Sequence, residues 1–316
     1  MRLTRSGIVE SIHMGDVAVV DPSGRLVASA GDPDRVLFAR SAMKPLQATV
    51  SLSFAPFDFS DREVAVMCAS HNAEPVHVQA VRSLLDRAGV PESSLLCPPM
   101  RPWDDEAMAS DPHRRRINSD CSGKHGGMLA ACRGQDWPLE SYRDPGHPLQ
   151  QAILAAVLQV TGLESVHVGV DGCGVPVHGL PLLSMALIYA RLASLEGLGA
   201  LESPASRAIQ SMALEPYLVA GRNRTDTAVM EVAPRIVVKG GAEGLMCAAL
   251  TDRRLGVAVK VGDGASRAAG PALIHALGLL GALTDVELDR LARFARPPVL
   301  GGGEPVGELA ADLSLS

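Results

Sequence analysis

The pattern of apolar and polar positions changes character along the chain. Residues 7–12 and 16–20 carry strand-forming side chains, and Asp21-Pro22-Ser23-Gly24 places Pro and Gly where a tight turn takes them before 25–30 resumes. This predicts a meander of short strands. Near the other end, 244–250 and 255–261 flank Thr251-Asp252-Arg253-Arg254 as a second hairpin. Between these regions, 41–52, 76–88, 149–160, 180–193 and 206–218 have apolar residues at three- and four-residue spacing, the period of an amphipathic helix. Strands at the two ends can satisfy their edges on one another. The expected fold is therefore α+β: a mixed antiparallel sheet from about 7–40 and 235–262 packed with helices, plus a helical lobe from about 41–234. The Pro-rich stretch 97–103 with 104–116 reads as a long surface loop, and 301–316 as a loosely ordered tail. The chain, 1–316, is expected to form a single domain.

Composition narrows the function. Apolar residues make up 47% of the chain and charged residues 20%, which suits a folded core and excludes disorder. The net charge of −6 supplies no footprint for a nucleic-acid backbone, and ten aromatic residues disfavour base-stacking platforms. The basic run His113-Arg114-Arg115-Arg116 then reads as a solvated loop. The apolar runs 180–190 and 268–283 are interrupted well short of a membrane span, and the first residues carry Glu10, His13 and Asp16 where an export signal needs an apolar stretch. Six cysteines are too sparse for a disulfide scaffold. The expectation is a cytoplasmic protein with no nucleic-acid or membrane partner.

Candidate chemistry begins at Ser41-Ala42-Met43-Lys44, which follows strand-like 36–39 and opens a helix. A spacing of three puts the Ser41 hydroxyl and the Lys44 amine on one helical face, the arrangement of a nucleophile and its base if burial or nearby charge lowers the lysine pKa. Alone, the pattern equally describes a capping serine and a surface lysine. Ser70-His71-Asn72 after apolar 64–69, and Lys239-Gly240-Gly241 at the end of strand 235–238, add two further pieces. The order S-x-x-K, S-x-N, K-x-G resembles the serine β-lactamase and penicillin-binding group, with His71 and Gly240 departing from its usual residues.

Two glycine-rich segments, Cys121-Ser122-Gly123-Lys124-His125-Gly126-Gly127 and Asp171-Gly172-Cys173-Gly174, bring thiols, an amine and an imidazole close to backbone of low bulk. Together with 40–45, 70–74 and 239–244, these segments closely resemble the L-asparaginase II family of the rhizobial type, over about 7–264. The resemblance implies a serine β-lactamase-like fold, hydrolysis of L-asparagine to L-aspartate and ammonia, and commonly a homodimer. It implies two serine–lysine pairs, Ser41 with Lys44 and Ser70 with Lys239, and a zinc ion held by Cys121, Lys124 and Cys173. From ligand chemistry alone His125 would be preferred over Lys124, because a lysine ligand must first lose its proton. The resemblance puts Lys124 in the shell, which leaves His125 expected behind the metal or against the substrate.

The substrate's own charges need partners. Arg40 is the candidate for its carboxylate. Glu74 and Asp171 are the candidates for its ammonium, although Asp171 could equally cap neighbouring backbone N–H groups. The loop Gly221-Arg222-Asn223-Arg224-Thr225-Asp226-Thr227 resembles a family loop near the active site and has no role assigned from sequence. Competing functions are a related serine amidohydrolase, such as a glutaminase or a β-lactam-recognising enzyme, and a non-catalytic zinc or amino-acid binding protein, for which the serine–lysine pairs would be unnecessary.

Overall fold

The computed structural model describes all 316 residues, and these separate into two compact units. Along the chain come strands β1 (Arg2–Arg5), β2 (Ile8–Ile12), β3 (Gly15–Val20), β4 (Leu26–Ala30) and β5 (Val36–Phe38), then a 3-10 turn at Arg40–Met43. Helices follow: α1 (Lys44–Phe54), α2 (Asp61–Met67), α3 (Pro75–Arg87), α4 (Asp105–Ser110), α5 (Ser122–Gly134) and α6 (Pro148–Thr161). After β6 (His167–Val170) and β7 (Pro176–Pro181) come α7 (Leu182–Ser194), α8 (Glu202–Leu214), α9 (Pro216–Val219) and α10 (Thr225–Val232). The chain ends with β8 (Ile236–Gly241), β9 (Leu245–Leu250), β10 (Leu255–Val261), α11 (Ser266–Leu279), α12 (Asp285–Arg290), α13 (Ala292–Ala295), β11 (Pro298–Gly301) and β12 (Glu304–Ala310). No single helix is long and apolar enough to cross a membrane.

The first unit comprises 1–42, 180–194 and 228–316. Nine of its strands, from both ends of the chain as the α+β expectation requires, form two antiparallel sheets. A five-stranded sheet has the order β4-β3-β10-β9-β8, with β3 on β10 in the register Val17↔Val259 and Val19↔Val257. A four-stranded sheet has the order β11-β12-β1-β2. The five-stranded sheet is covered by α7 and α11, whose apolar side chains are buried against it. Half of the tail expected to be loose is strand: β12 pairs with β1 at Arg2↔Ala310 and Leu3↔Leu309, and its hairpin to β11 turns at Gly302-Gly303, both at positive φ. An unpaired β1 edge explains this, because its exposed backbone donors and acceptors are satisfied by the returning strand.

The second unit, 43–179 and 195–227, is helical around α5, with α1, α2 and α3 packed on it and a short β6–β7 hairpin. Segment 122–134 has three glycines in its first six residues, which argues against helix by propensity, yet it is helical. The cause is packing. A Cβ at Gly123 would collide with the Val66 carbonyl of α2, so glycine lets the two backbones touch. The 97–116 stretch is also more ordered than expected. It contains α4, capped by the Asp104 carboxylate accepting from Ala107 N at 2.9 Å, and a bridge between Met100 and Arg115.

In the first unit, Gly256 on β10 lies so close to α7 that a Cβ there would collide with the Ala186 carbonyl oxygen. Gly256→Ala is expected to lower the unfolding free energy by about 1–3 kcal/mol, the usual range for overpacking. Urea denaturation of the variant beside wild type measures it, and an unchanged midpoint would refute tight α7–β10 packing.

Candidate active site

In the first unit, Ser41 lies in the 3-10 turn directly after Arg40, whose φ of 44° is in the left-handed region that non-glycine residues rarely occupy. The turn is held by Tyr189 of α7, whose hydroxyl donates to the Ala42 carbonyl at 2.7 Å. The end of β8 lies against it: a Cβ at Gly241 would sit 3.2 Å from Ala42 N. Lys239, two residues earlier on β8, is fully buried, and its Nζ donates to the Gly240 carbonyl at 2.6 Å. This unit thus brings the Ser41 turn and the Lys239 strand end together.

In the second unit, the structure joins Lys44 to Ser70. Lys44 Nζ, on a side chain only 1% exposed, lies 2.8 Å from Ser70 Oγ and donates to Ala69 O at 2.6 Å and Asp120 O at 3.4 Å, with the Asp120 carboxylate at 3.6 Å. An amine and a hydroxyl in direct hydrogen bond are placed to exchange a proton. Ser70 is delivered by α2, whose N-terminus carries a capping box between Ser60 and Glu63. Glu63 also accepts from Ser83 at 2.7 Å and from Arg87 Nε at 2.9 Å. Burial alone would raise the Glu63 carboxyl, but the hydrogen bonds from Ser83, Ser60 and Arg87 outweigh it and hold the group below the usual carboxylate range.

The segment after Ser70 is fastened through Asn72, which uses all of its polar atoms. Its N–H donates to Ala220 O at 3.0 Å, and its carbonyl accepts from Trp103 N at 2.9 Å. Its side-chain Nδ2 donates to Arg222 O at 3.0 Å and Glu74 Oε1 at 3.3 Å, and its Oδ1 accepts from Arg224 at 3.0 Å. Glu74, singled out for the substrate's ammonium, has both oxygens engaged by the chain: Oε2 accepts from the Tyr217 hydroxyl at 2.5 Å and Oε1 from Arg222 N at 3.0 Å. His71 is buried and lies 2.9 Å from Ser122 Oγ, in a stack with His77 and Tyr217. Desolvation, then the charges of His77 and Lys44, pushes the His71 imidazole well below its ordinary range.

Cys121 immediately follows Asp120, and α5 then presents Lys124 and His125 on its first turn. Lys124 Nζ donates to Cys173 Sγ at 2.9 Å. The Cys121 thiol is raised by its hydrogen-bonding interaction with Cys173 and by burial. Cys173 is held well below the usual thiol range by this bond, against its own desolvation, with help from the Lys124 charge. Burial works to lower Lys124, but the charges on Cys173 and Cys121 reverse the direction and raise it. His125 is pushed down to about 4, chiefly by desolvation. Its Nδ1 lies 2.5 Å from the Tyr142 hydroxyl, and its buried Nε2 has no hydrogen-bond partner. Asp171 accepts from Gly172 N at 2.9 Å and forms the turn that carries Cys173. A cleft of about 330 Å³ lined by Asp171, Arg116, Arg143 and Pro99 opens onto Cys173.

Two sulfurs and the Lys124 amine, hydrogen-bonded to one of them, are groups that a soft divalent cation could take once the amine has lost its proton. No three His, Cys, Asp or Glu side chains in the chain converge as a metal site.

The residues that sequence reasoning passed over are Asp120, Tyr142 and Tyr217, and Asn72 was read only as part of its motif. Asp120 carried a signal, since it directly precedes the motif segment that begins at Cys121. The two tyrosines carried none.

Residues 1–311 match a family whose members are defined by amide hydrolysis, and amidohydrolase chemistry is what that match supports. The family is L-asparaginase II, and the chain belongs to it. Among solved structures, the chain is similar to Mglu in its tris and glutamate form, at 14% identity over 88% of this chain and 61% of that one, with a TM-score of 0.49. A second structure of Mglu is similar at 15% identity over 82% and 64%, TM-score 0.45. A beta-lactamase from Mycobacterium bovis is similar at 16% identity over 79% and 87%, TM-score 0.40. The chain spans less than two thirds of the length of these two Mglu chains. No curated protein matches it.

The Glu63 network generates a pH test. A carboxyl held below its unfolded pKa of about 4.3 contributes stability that is fully present above that value and lost as pH falls through the native one. Wild type is expected to lose more unfolding free energy between pH 6 and pH 3 than Glu63→Gln, measured by urea titration at each pH. Parallel acid limbs would show that Glu63 is not held in this way.

Proposed function

We propose that this protein is an L-asparagine amidohydrolase that works through a serine ester. The observation that supports the reading is the buried hydrogen bond of 2.8 Å between Lys44 Nζ and Ser70 Oγ, an amine–hydroxyl pair placed to exchange a proton. Ser41, three residues ahead of Lys44 in the chain, is the proposed nucleophile. Its oxygen attacks the carboxamide carbon while its proton passes to Lys44. The Lys44–Ser70 bond offers the route by which that proton reaches the leaving nitrogen, so that ammonia departs and an aspartyl ester remains. Water then cleaves the ester to L-aspartate and restores the serine. Lys239, on the strand beside the Ser41 turn, is proposed to contribute positive charge as negative charge develops on the carbonyl oxygen. Arg40 is the cation that the sequence puts forward for the substrate's carboxylate, and Asp171 the acid for its ammonium.

Zinc is proposed on Cys121, Lys124 and Cys173, with the unpartnered Nε2 of His125 nearby. Bound there, it would supply a fixed positive charge beside the substrate. Lys124, His125 and Cys173 are buried, and the cleft beside Asp171 gives access to Cys173.

Ammonia release measured side by side on L-asparagine and L-glutamine should favour asparagine and fall by at least a thousandfold in both Ser41→Ala and Ser70→Ala. Mass spectrometry of wild type quenched during turnover should find an aspartyl adduct on Ser41. An adduct on Ser70 would exchange the roles of the two serines, and no release from either amide would sink the reading. Metal analysis gives an independent check: after incubation with zinc and dialysis, wild type should retain one zinc per chain and Cys121→Ser with Cys173→Ser none. Equal retention by both proteins, or none by either, would remove zinc from these residues.

A further inference from the structure

We infer that Arg224 anchors the carboxylate of the substrate, taking the role that the sequence puts on Arg40. The inference rests on the amidohydrolase reading and adds a specificity-determining residue to it. Arg222 and Arg224 stand two positions apart in one loop and have opposite fates. Arg222 is exposed and spends its charge on acids of the chain, 3.5 Å from the Asp104 carboxylate and bonded to Glu106. Arg224 is half-buried and has no carboxylate partner. Its Nη1 donates to Ser70 O at 3.3 Å and to Asn72 Oδ1 at 3.0 Å, which occupies both hydrogens of that nitrogen.

Those two bonds leave Nε and Nη2, the edge of the guanidinium that forms a two-pronged bond with a carboxylate. The ring of Trp103 lies under the guanidinium, 5.6 Å from ring centroid to Cζ. A face contact of this kind fixes the plane and consumes no N–H. Trp103 is itself tied to the site, since its N–H donates to the Asn72 carbonyl at 2.9 Å. The result is a cation whose plane is set by an aromatic ring, whose position is set by Ser70 and Asn72, and whose carboxylate-binding edge has no partner in the chain. Holding an arginine in this way without a counter-charge costs stability, and an anionic ligand recovers it. Arg40, by contrast, already has a partner within the chain.

The chemistry of the ligand follows from where Arg224 is fastened. It is bonded to the main chain of Ser70, the residue whose hydroxyl meets Lys44. An anion on Arg224 must therefore belong to a molecule whose reacting group lies close by. In L-asparagine the carboxylate and the carboxamide carbon are two carbons apart, which suits this span; glutamine adds a third.

The test compares L-asparagine with its α-methyl ester, which keeps the amide and the ammonium and lacks the carboxylate. Wild type should hydrolyse the acid at least tenfold better in kcat/KM. In Arg224→Met the KM for L-asparagine should rise about 10- to 100-fold, kcat should change less than threefold, and the preference over the ester should collapse to within threefold. Arg224→Lys, which keeps the charge and loses the two-pronged geometry, should fall between. Equal losses on acid and ester would mean that Arg224 only holds the loop, and would overturn the inference. So would a collapse seen in Arg40→Met and not in Arg224→Met. Should wild type release no ammonia at all, the amidohydrolase reading fails separately, and calorimetry with L-aspartate decides this one: binding lost in Arg224→Met upholds it, and no binding by wild type refutes it.

Discussion

Everything in the second unit is arranged around the burial of one amine. A lysine nitrogen taken out of water must find acceptors or lose several kcal/mol of solvation. Lys44 finds them in three places: the main chain at the end of α2, the hydroxyl of Ser70, and the carbonyl and carboxylate of Asp120. These groups come from segments distant in sequence, so satisfying the amine also fixes where α1, α2 and the start of α5 meet. Because Asp120 is followed by Cys121, the same requirement sets the position of the thiols. The close contact of α2 with Gly123 is part of the same geometry, since a bulkier residue there would lift α5 away from Val66.

Strain collects where the motifs are. Eight non-glycine residues have positive φ, and four of them lie in motif segments: Arg40 before Ser41, Ala73 after Asn72, Asn223 beside Arg224, and Glu243 after Gly241. Each such conformation costs of the order of 1–3 kcal/mol unless the surroundings impose it. At Ala73 the surroundings are on view, because Asn72 and Glu74 on either side are both held by residues 217–224. The fastening that makes the loop rigid also makes an unpaired arginine tolerable there.

Much of this was legible in the chain. The strands near both ends and the main helices follow from periodicity, and the serine, lysine and cysteine positions from motif segments. Partnership was harder to read than position. A spacing of three suggests Ser41 as the companion of Lys44, yet the hydrogen bond to Ser70 depends on how α2 returns to α1, which no local pattern records. Glu74 looks like a free acid in the sequence, and only the folded loop reveals that its oxygens are engaged by Tyr217 and Arg222. Helix α5 was hidden by its glycines, which lower intrinsic propensity for the sake of close packing. The pairing of β12 with β1 was hidden because strand partners 300 residues apart leave no local signal.

That last pairing has a consequence for how the protein is made. The five-stranded sheet needs β10 beside β3, and the four-stranded sheet needs β12 beside β1, so the first unit consists of opening strands waiting for closing ones. The second unit needs nothing beyond residue 227. During synthesis, β3 therefore emerges with an open edge that it keeps until some 240 residues later, and β1 with one that it keeps until some 300 residues later, while the helical unit has everything it needs to pack. Ribosome-bound chains stopped before β10 would carry a formed helical unit and exposed strand edges, the state in which this protein is most open to chaperones and to its neighbours on the polysome.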